Sequence, residues 1–304
     1  MLTLYDIHGR IERIAGPTAV TVGVFDGVHQ GHQQLLKQLA ALNSQFSTLA
    51  VTLTAHPSFV LGRHDSEYWL DDPQEHLHLL LEAGAKYVAE LPFTREVAAC
   101  SACQMARFLF EKVNMRSLFL GYDSRFGSRQ DDDFDRLPQL AAGLGFALQR
   151  GEPFLVGGQP ISSSRIRSSL AEGRVADTAE LLGRPYTVRG TVVHGRGVGH
   201  TLGFPTANID LAATRKMLPR EGVYAVRIGS RVGMANLGTA PTFGIDRPLL
   251  EVHLLDFEGD LYGQQVAVEF VRRLRDTVHF DTVEALEQQL EQDLDNCRKI
   301  CRTN

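Results

Sequence analysis

The stretch "TVGVFDGVHQGHQQLLKQLAAL", Thr21 to Leu42, decides how this chain is read. It begins inside the short apolar run "PTAVTVGV", which reads as a buried strand, and ends in "HQQLLKQLAAL", an amphipathic helix with Leu35, Leu36, Leu39 and Leu42 on one stripe. Gly23, Gly27 and Gly31 punctuate the junction, where they permit tight turning and close approach of the backbone to a ligand. His29 and His32 then fall beside the first free amides of the helix, a place that favours anions. Two readings of the pair stay open: a phosphate grip, or one histidine as helix cap and the other in the core. A metal pair is the weaker reading, because His-x-x-His has neither a third ligand nor the glutamate of a zinc-protease helix.

Outward from this junction the chain alternates. "STLAVTL", "AKYVAEL", "RSLFLG" and "FALQR" read as strands, separated by helices in "PQEHLHLLLEAG", "CQMARFLFEKV" and "DFDRLPQLAAGLG". That rhythm predicts a parallel sheet with helices on both faces. Past "ELLGRPYTVRG" the pattern changes. "YTVRGTVV", "VYAVRIG", "RVGMANLG", "LLEVHLLD" and "QQVAVEFVRRL" alternate polar and apolar residues with glycine-rich turns, which predicts an antiparallel sheet or small barrel. A closing helix, "TVEALEQQLEQDLDNCRKI", carries Val283, Leu286, Leu290 and Leu294 along one side. A chain of 304 residues is long for one core, and the boundary is placed between residues 183 and 184.

The net charge of −5 gives no global reason to expect a nucleic-acid partner. The segment from Ile161 to Arg231 differs, with eleven Lys and Arg against five Asp and Glu, which suits a polyanionic ligand or a solvated surface. No run approaches the roughly 18 apolar residues of a membrane span. The opening "MLTLYDIHGRIERI" lacks a secretory pattern, so a cytoplasmic protein without a membrane partner is expected. Cys100 with Cys103 and Cys297 with Cys301 have helical spacing; a four-thiolate zinc site is conceivable from the count, but neither pair lies in a knuckle and buried or incidental thiols are expected.

The spacing His29-x-Gly31-His32 after a first strand resembles that of the HxGH nucleotidyltransferases, and "ISSSRIR", Ile161 to Arg167, resembles their second nucleotide signature. His56-Pro57 and Asp123 follow later strands, on the same rim of such a sheet. Together these stretches resemble the adenylyltransferase module of bacterial bifunctional riboflavin kinase/FAD synthetases. The resemblance implies a Rossmann-like domain over residues 1–183 that transfers AMP from ATP to FMN. It would place Gly23, Asp26, His29, Gly31, His32, Asp123, Ser163, Ser164 and Arg167 around ATP and FMN, with the imidazoles at the α-phosphate. Ser124 stands where the family usually has an aromatic residue, and Asp131–Asp133 add carboxylates that either border the pocket or belong to a solvated loop.

Farther on, "HGRGVGHTLGFPTANI", His194 to Ile209, offers glycines in a phosphate-sized loop, among them Gly195 and Gly203, followed by Pro205. Thr206 and Asn208 alternate along an extended segment as oxygen ligands suited to Mg²⁺ beside ATP phosphates; a plain turn stabilised by a Thr and an Asn is the competing reading. "GFPTAN" is the riboflavin-kinase signature, and "GVYAV", "ANLGTAPTFG", "LEVHLLDFEGDLYG" and "HFDTVEALEQQLEQD" follow in that family's order. The resemblance implies a six-stranded Greek-key barrel with a C-terminal helix over residues 184–304, and Glu251 as the general base that activates riboflavin. Alternation puts Glu251 and His253 on one face of their strand, expected to point inward from the barrel. Ala240 and Thr277 depart from the family's usual Arg and Glu. The expected chemistry is riboflavin to FMN and FMN to FAD, each with ATP and Mg²⁺. The rival expectations are a kinase with a degenerate first domain and a non-enzymatic flavin or nucleotide sensor.

Overall fold

The computed structural model describes residues 2–42, 44–62, 68–124, 126–128, 135–195, 203–242 and 245–302. Contacts divide the chain into two compact units, Met1–Ser163 and Ser164–Asn304.

In the first unit, β1 (Thr3–Asp6) and β2 (Gly9–Ile11) precede β3 (Thr18–Gly23) and α1 (Gln30–Leu42). Then come β4 (Ser47–Leu53), α2 (Pro57–Val60), α3 (Pro73–Glu82), β5 (Tyr87–Leu91), α4 (Arg95–Ala99) and α5 (Ala102–Lys112). The unit continues with β6 (Met115–Leu120), α6 (Leu137–Leu144), β7 (Ala147–Arg150) and the hairpin of β8 (Leu155–Val156) and β9 (Gln159–Pro160). The main sheet has the order β2-β1-β5-β4-β3-β6-β7. Strands β3 to β7 run parallel to one another.

Both faces of this sheet are covered, and alternate residues on each strand show it. Ala19, Ala50 and Val88 pack with Leu36 and Leu39 of α1 and Leu80 of α3. Val20, Leu49, Val51 and Ala89 pack with Ala106 and Leu109 of α5 and Leu137 of α6 on the other side. This explains the unbroken apolar strands, since a strand buried on both faces has no polar phase. The stripe expected on α1 is shorter than it reads: Leu42, at the helix end, is 61% exposed. The sheet is also not wholly parallel, because β1 pairs antiparallel with β5, Leu4 opposite Ala89. That hairpin covers an edge of the sheet, and the short run "TLYD" carries no helix before the next strand to announce it.

The second unit holds most of α7 (Ser163–Ala171), then α8 (Val175–Leu182), β10 (Tyr186–Val193), β11 (Ala207–Asp210), β12 (Gly222–Ile228), β13 (Arg231–Thr242), β14 (Ile245–Leu254), β15 (Gln265–Arg275) and α9 (Val283–Arg302). The contact division falls within α7, after Ser163, and α8 packs on β10 and β15 through its buried apolar side. The six strands close into a barrel in the order β10-β11-β14-β13-β12-β15, every pair antiparallel. The run β12-β13-β14 with β11 returning beside β14 is a Greek key.

Strand register separates the two faces of the barrel wall. Tyr224, Ala235 and Val252 are in line, as are Leu237 and Leu250, and all are buried in the interior, where the Tyr224 and Phe270 rings meet edge to face at 5.1 Å. Val223, Ala225 and Met234 lie on the other face and pack beneath Leu294, Cys297 and Cys301 of α9. The alternation read in "LLEVHLLD" holds, but its direction is corrected. Leu250, Val252 and Leu254 fill the barrel, so Glu251 and His253 face outward, on the side that α9 covers. Burying a charged pair inside so small a barrel would leave it without water or counter-charge.

Candidate active sites

The turn after β3 positions the first candidate site. His29 immediately precedes α1 and its carbonyl accepts from Gln33 N, so it stands at the cap position. His29 Nδ1 accepts the His32 backbone N–H at 3.3 Å, which leaves the proton of a neutral ring on Nε2. The two imidazoles stack, with centroids 3.6 Å apart and planes 16° from parallel. Gly31 leaves room for that stack, since a Cβ there would approach the His29 ring to 3.1 Å and press on it. Phe25 meets His32 edge-on at 5.2 Å. Cap and phosphate grip are therefore compatible, because the cap uses Nδ1 rather than Nε2 of His29.

His32 is half-buried, and its Nδ1, shielded from solvent, has no hydrogen-bond partner among the described residues. Burial first, then the neighbouring His29 and His76, hold its imidazole well below the usual histidine range, so it is neutral at pH 7 in the absence of an anion.

Gly23, His29, Gly31, His32, Asp123 and Ser163 all line one cavity of about 870 Å³. Ser124 is on its wall as well. Asp26 is close by in sequence but turned away, its Oδ1 accepting Leu70 N at 2.8 Å and its carbonyl accepting the Ser163 hydroxyl at 2.9 Å. Ser164 and Arg167 lie on α7, in the second unit. His56 caps α2, accepting Ser58 N at Nδ1. Asp131–Asp133, the carboxylates expected to matter for the acceptor, lie outside the described residues, as does the Ala240 side chain. The sequence reading missed the apolar wall of this cavity. Phe93, Met105, Phe126 and Phe154 are among its lining residues, apolar surface suited to an aromatic ring system. Phe93 follows the carboxyl end of β5, which is the signal that could have found it.

The second candidate site is on the outer face of the barrel. Glu251 of β14 is directly opposite Asn208 of β11 on one side and Asn236 of β13 on the other. Thr206, Asn236, Glu251, His253 and Arg275 line a pocket of about 490 Å³ with Thr277–Val283 and the first turns of α9. His253 Nδ1 donates to the Pro205 carbonyl at 2.8 Å, which pins the segment that carries Thr206. Asn208 is 8% exposed and packs against Gly195, where a Cβ would come within 2.0 Å of Asn208 Nδ2. Gly203 adopts φ 77° one residue ahead of Phe204, whose ring meets His253. Sequence reasoning missed Asn236 and Arg275. Thr277, noted only as a departure, donates to Asn236 Oδ1 at 3.3 Å.

An ion of hard character suits this second site better than a soft one. The pocket offers mainly oxygen donors, the Thr206 hydroxyl, the Asn236 amide and the Glu251 carboxylate, with Asn208 on the neighbouring strand, and among the described residues no cluster of three His, Cys, Asp or Glu is placed to hold a metal. Cys297 and Cys301 do not compete. Both are buried, and burial, with Cys301 and Asp293 nearby, pushes the Cys297 thiol up to about 12.

Comparison with known proteins adds an independent line. The FAD synthetase family model matches residues 11–165, and the riboflavin kinase family model matches residues 182–301. The chain is 34% identical over 301 residues to the bifunctional riboflavin kinase/FMN adenylyltransferase of Escherichia coli K12, covering 96% of each chain. It is 34% identical over 294 residues to the protein of the same name from Haemophilus influenzae, covering 94% of this chain and 95% of that one. A crystal structure from Streptococcus pneumoniae, described as a macrolide-efflux protein, superposes with TM-score 0.84 at 31% identity, over 94% of this chain and 96% of that one. Among the described residues of the present chain, no helix is long and apolar enough to cross a membrane.

Proposed function

The chain belongs to the bifunctional riboflavin kinase/FMN adenylyltransferase family, and from that premise we propose a division of labour between its two pockets. The protein phosphorylates riboflavin with ATP to give FMN, and adenylylates FMN with a second ATP to give FAD and pyrophosphate. A kinase with a degenerate first domain and a non-enzymatic sensor are both disfavoured, since each half matches a catalytic family.

Adenylyl transfer is assigned to the first pocket, within the module read as residues 1–183. The observation that carries it is the stacked His29–His32 pair at the start of α1, on a cavity lined by Asp123, Ser163 and several apolar side chains. An FMN phosphate oxygen attacks the α-phosphorus of ATP, and the bond to the bridging oxygen of pyrophosphate breaks. The imidazoles and the amides of the helix start stabilise the charge that develops, without a covalent enzyme intermediate. Ser163, Ser164 and Arg167 are assigned to the triphosphate, Gly23 and Gly31 to close backbone approach, and Asp26 to shaping the turn that carries the histidines.

Phosphoryl transfer is assigned to the second pocket, within residues 184–304. Glu251 takes the proton of the terminal ribityl hydroxyl while its oxygen attacks the γ-phosphorus and ADP leaves. Gly195, Gly203 and Pro205 are assigned to the segment that wraps the nucleotide. Thr206 and Asn208 would hold Mg²⁺, which when bound supplies charge neutralisation on the phosphates and keeps most of its remaining ligands as water and phosphate oxygens. Cytoplasmic placement and the absence of a nucleic-acid partner belong to the same proposal.

Purified chain supplied with riboflavin, ATP and Mg²⁺ should yield both FMN and FAD, resolved by chromatography. FMN without FAD would remove the first assignment, and no product at all would remove both.

A further inference from the structure

One chain of buried polar side chains in the first unit has no part in the assignments above. Thr52, Asp71 and His76 are 1%, 1% and 8% exposed. Asp71 Oδ2 is 3.0 Å from His76 Nδ1, and His76 Nε2 is 2.8 Å from Thr52 Oγ1. Thr52 Oγ1 in turn donates to the Val24 carbonyl at 3.2 Å. The three residues come from the end of β4, the residues just ahead of α3, and α3 itself, and their chain ends on the turn that leads to His29. From the same segment, Leu70 N donates to Asp26 Oδ1.

That turn needs holding. Phe25 and Val28 have φ of 51° and 35°, in the left-handed region that a β-branched residue rarely occupies. Such backbone persists only where its surroundings over-determine it, and it is common where a site must be pre-organised. A hydroxyl has a single proton to donate. For Thr52 to give it to Val24, His76 must donate from Nε2, with a second proton shared between Nδ1 and Asp71. The chain of bonds is then complete from Asp71 to Val24, with each member fixing the next.

We propose that Asp71, His76 and Thr52 are positioning residues for adenylyl transfer, bracing the Val24–His29 turn so that His29 and His32 meet the α-phosphate in one arrangement. None of the three touches the reacting atoms; they act through the turn. The inference rests on the assignment of FMN adenylylation to this pocket.

The test uses the full chain with Thr52→Val, Thr52→Ser, His76→Leu and the Thr52→Val/His76→Leu pair. FAD formation from FMN is measured as kcat and KM, and FMN formation from riboflavin is measured in the same preparation. Near-ultraviolet circular dichroism reports folding. Thr52→Val should lower kcat for FAD about tenfold, in the range expected when reacting groups are slightly misplaced, with the KM for FMN little changed. Thr52→Ser should restore it, and FMN formation should be unaffected. Because the residues act as one chain, the double variant should lose no more than the worse single variant. Unchanged kcat in folded Thr52→Val, or losses that simply multiply in the double variant, would overturn the inference. If Thr52→Val does not fold, Asp71→Asn replaces it: a several-fold fall in kcat supports the brace and an unchanged kcat refutes it. No FAD from the unaltered chain would remove the assignment and this inference together, whereas normal FAD formation in both altered and unaltered chains removes the inference alone.

Discussion

At the scale of single residues, His32 shows how one side chain serves both fold and chemistry. Its imidazole is half-buried and held neutral, so its affinity for protons is lower in the folded chain than in the unfolded one. A group with a depressed folded pKa contributes stability above its unfolded value, about 6.5 for histidine, and that contribution is lost as pH falls below it. The melting temperature of the first unit should therefore drop as pH is lowered from about 7 to 5. His32→Asn should flatten that drop, as read by calorimetry across the range. The same neutrality makes the ring responsive to an incoming phosphate, whose charge would draw a proton toward it. The sequence marks His29 and His32 by spacing alone. It does not reveal that one caps a helix through Nδ1 while the other lies stacked beneath it, because both facts depend on the conformation of Phe25 to Val28.

At the scale of elements, α9 matters most for the pocket proposed for the kinase step. Its inner side packs on the barrel through Leu294, Cys297 and Cys301, and one ion pair anchors it to β15. Arg275 Nε and Nη2 reach Asp293 Oδ2 at 2.9 and 2.7 Å, while Gln289 donates to the other oxygen at 3.1 Å. Asp293 is 2% exposed, so removing it leaves a largely buried guanidinium without its counter-charge. Asp293→Ala should destabilise the second unit by roughly 3 kcal/mol in a denaturant titration. FMN formation should weaken in parallel, since Arg275 and α9 are both part of the pocket wall. The helix itself is plain in the sequence from its 3.6-residue period. Its pairing with β15 is not, because Arg275 and Asp293 are brought together only by the return of the chain over the barrel.

At the scale of the molecule, two pockets in separate compact units predict separable losses. Glu251→Ala should abolish FMN formation while FMN-to-FAD conversion persists. His29→Ala should do the reverse, lowering FAD formation by roughly 10²–10³, the loss typical of one charge-stabilising donor. Assays of each half-reaction on each variant check this. A folded variant that loses both reactions would contradict the division of labour. The two-part organisation was legible because periodicity switches from alternating helix and strand to strand with two-residue alternation. Where the parts meet was less so: α8 follows the first domain's rhythm in sequence, yet its buried side belongs to the barrel.

Sequence by itself determined which elements form and which residue types are offered for chemistry. The period of the apolar residues sets helix against strand, and glycines and histidines at fixed spacing mark the candidate nucleotide site. Only the tertiary structure decided which face each strand presents and which side chains bond behind the β3–α1 turn. Glu251 and His253 lie outside the barrel because closure puts Leu250 and Val252 within it, and alternation alone cannot tell inside from outside. Thr52, Asp71 and His76 read as an ordinary strand residue and two residues around a helix start. They become one polar chain because β4 and α3 meet behind the β3–α1 turn, and the cost of burying unpaired polar groups makes that meeting specific.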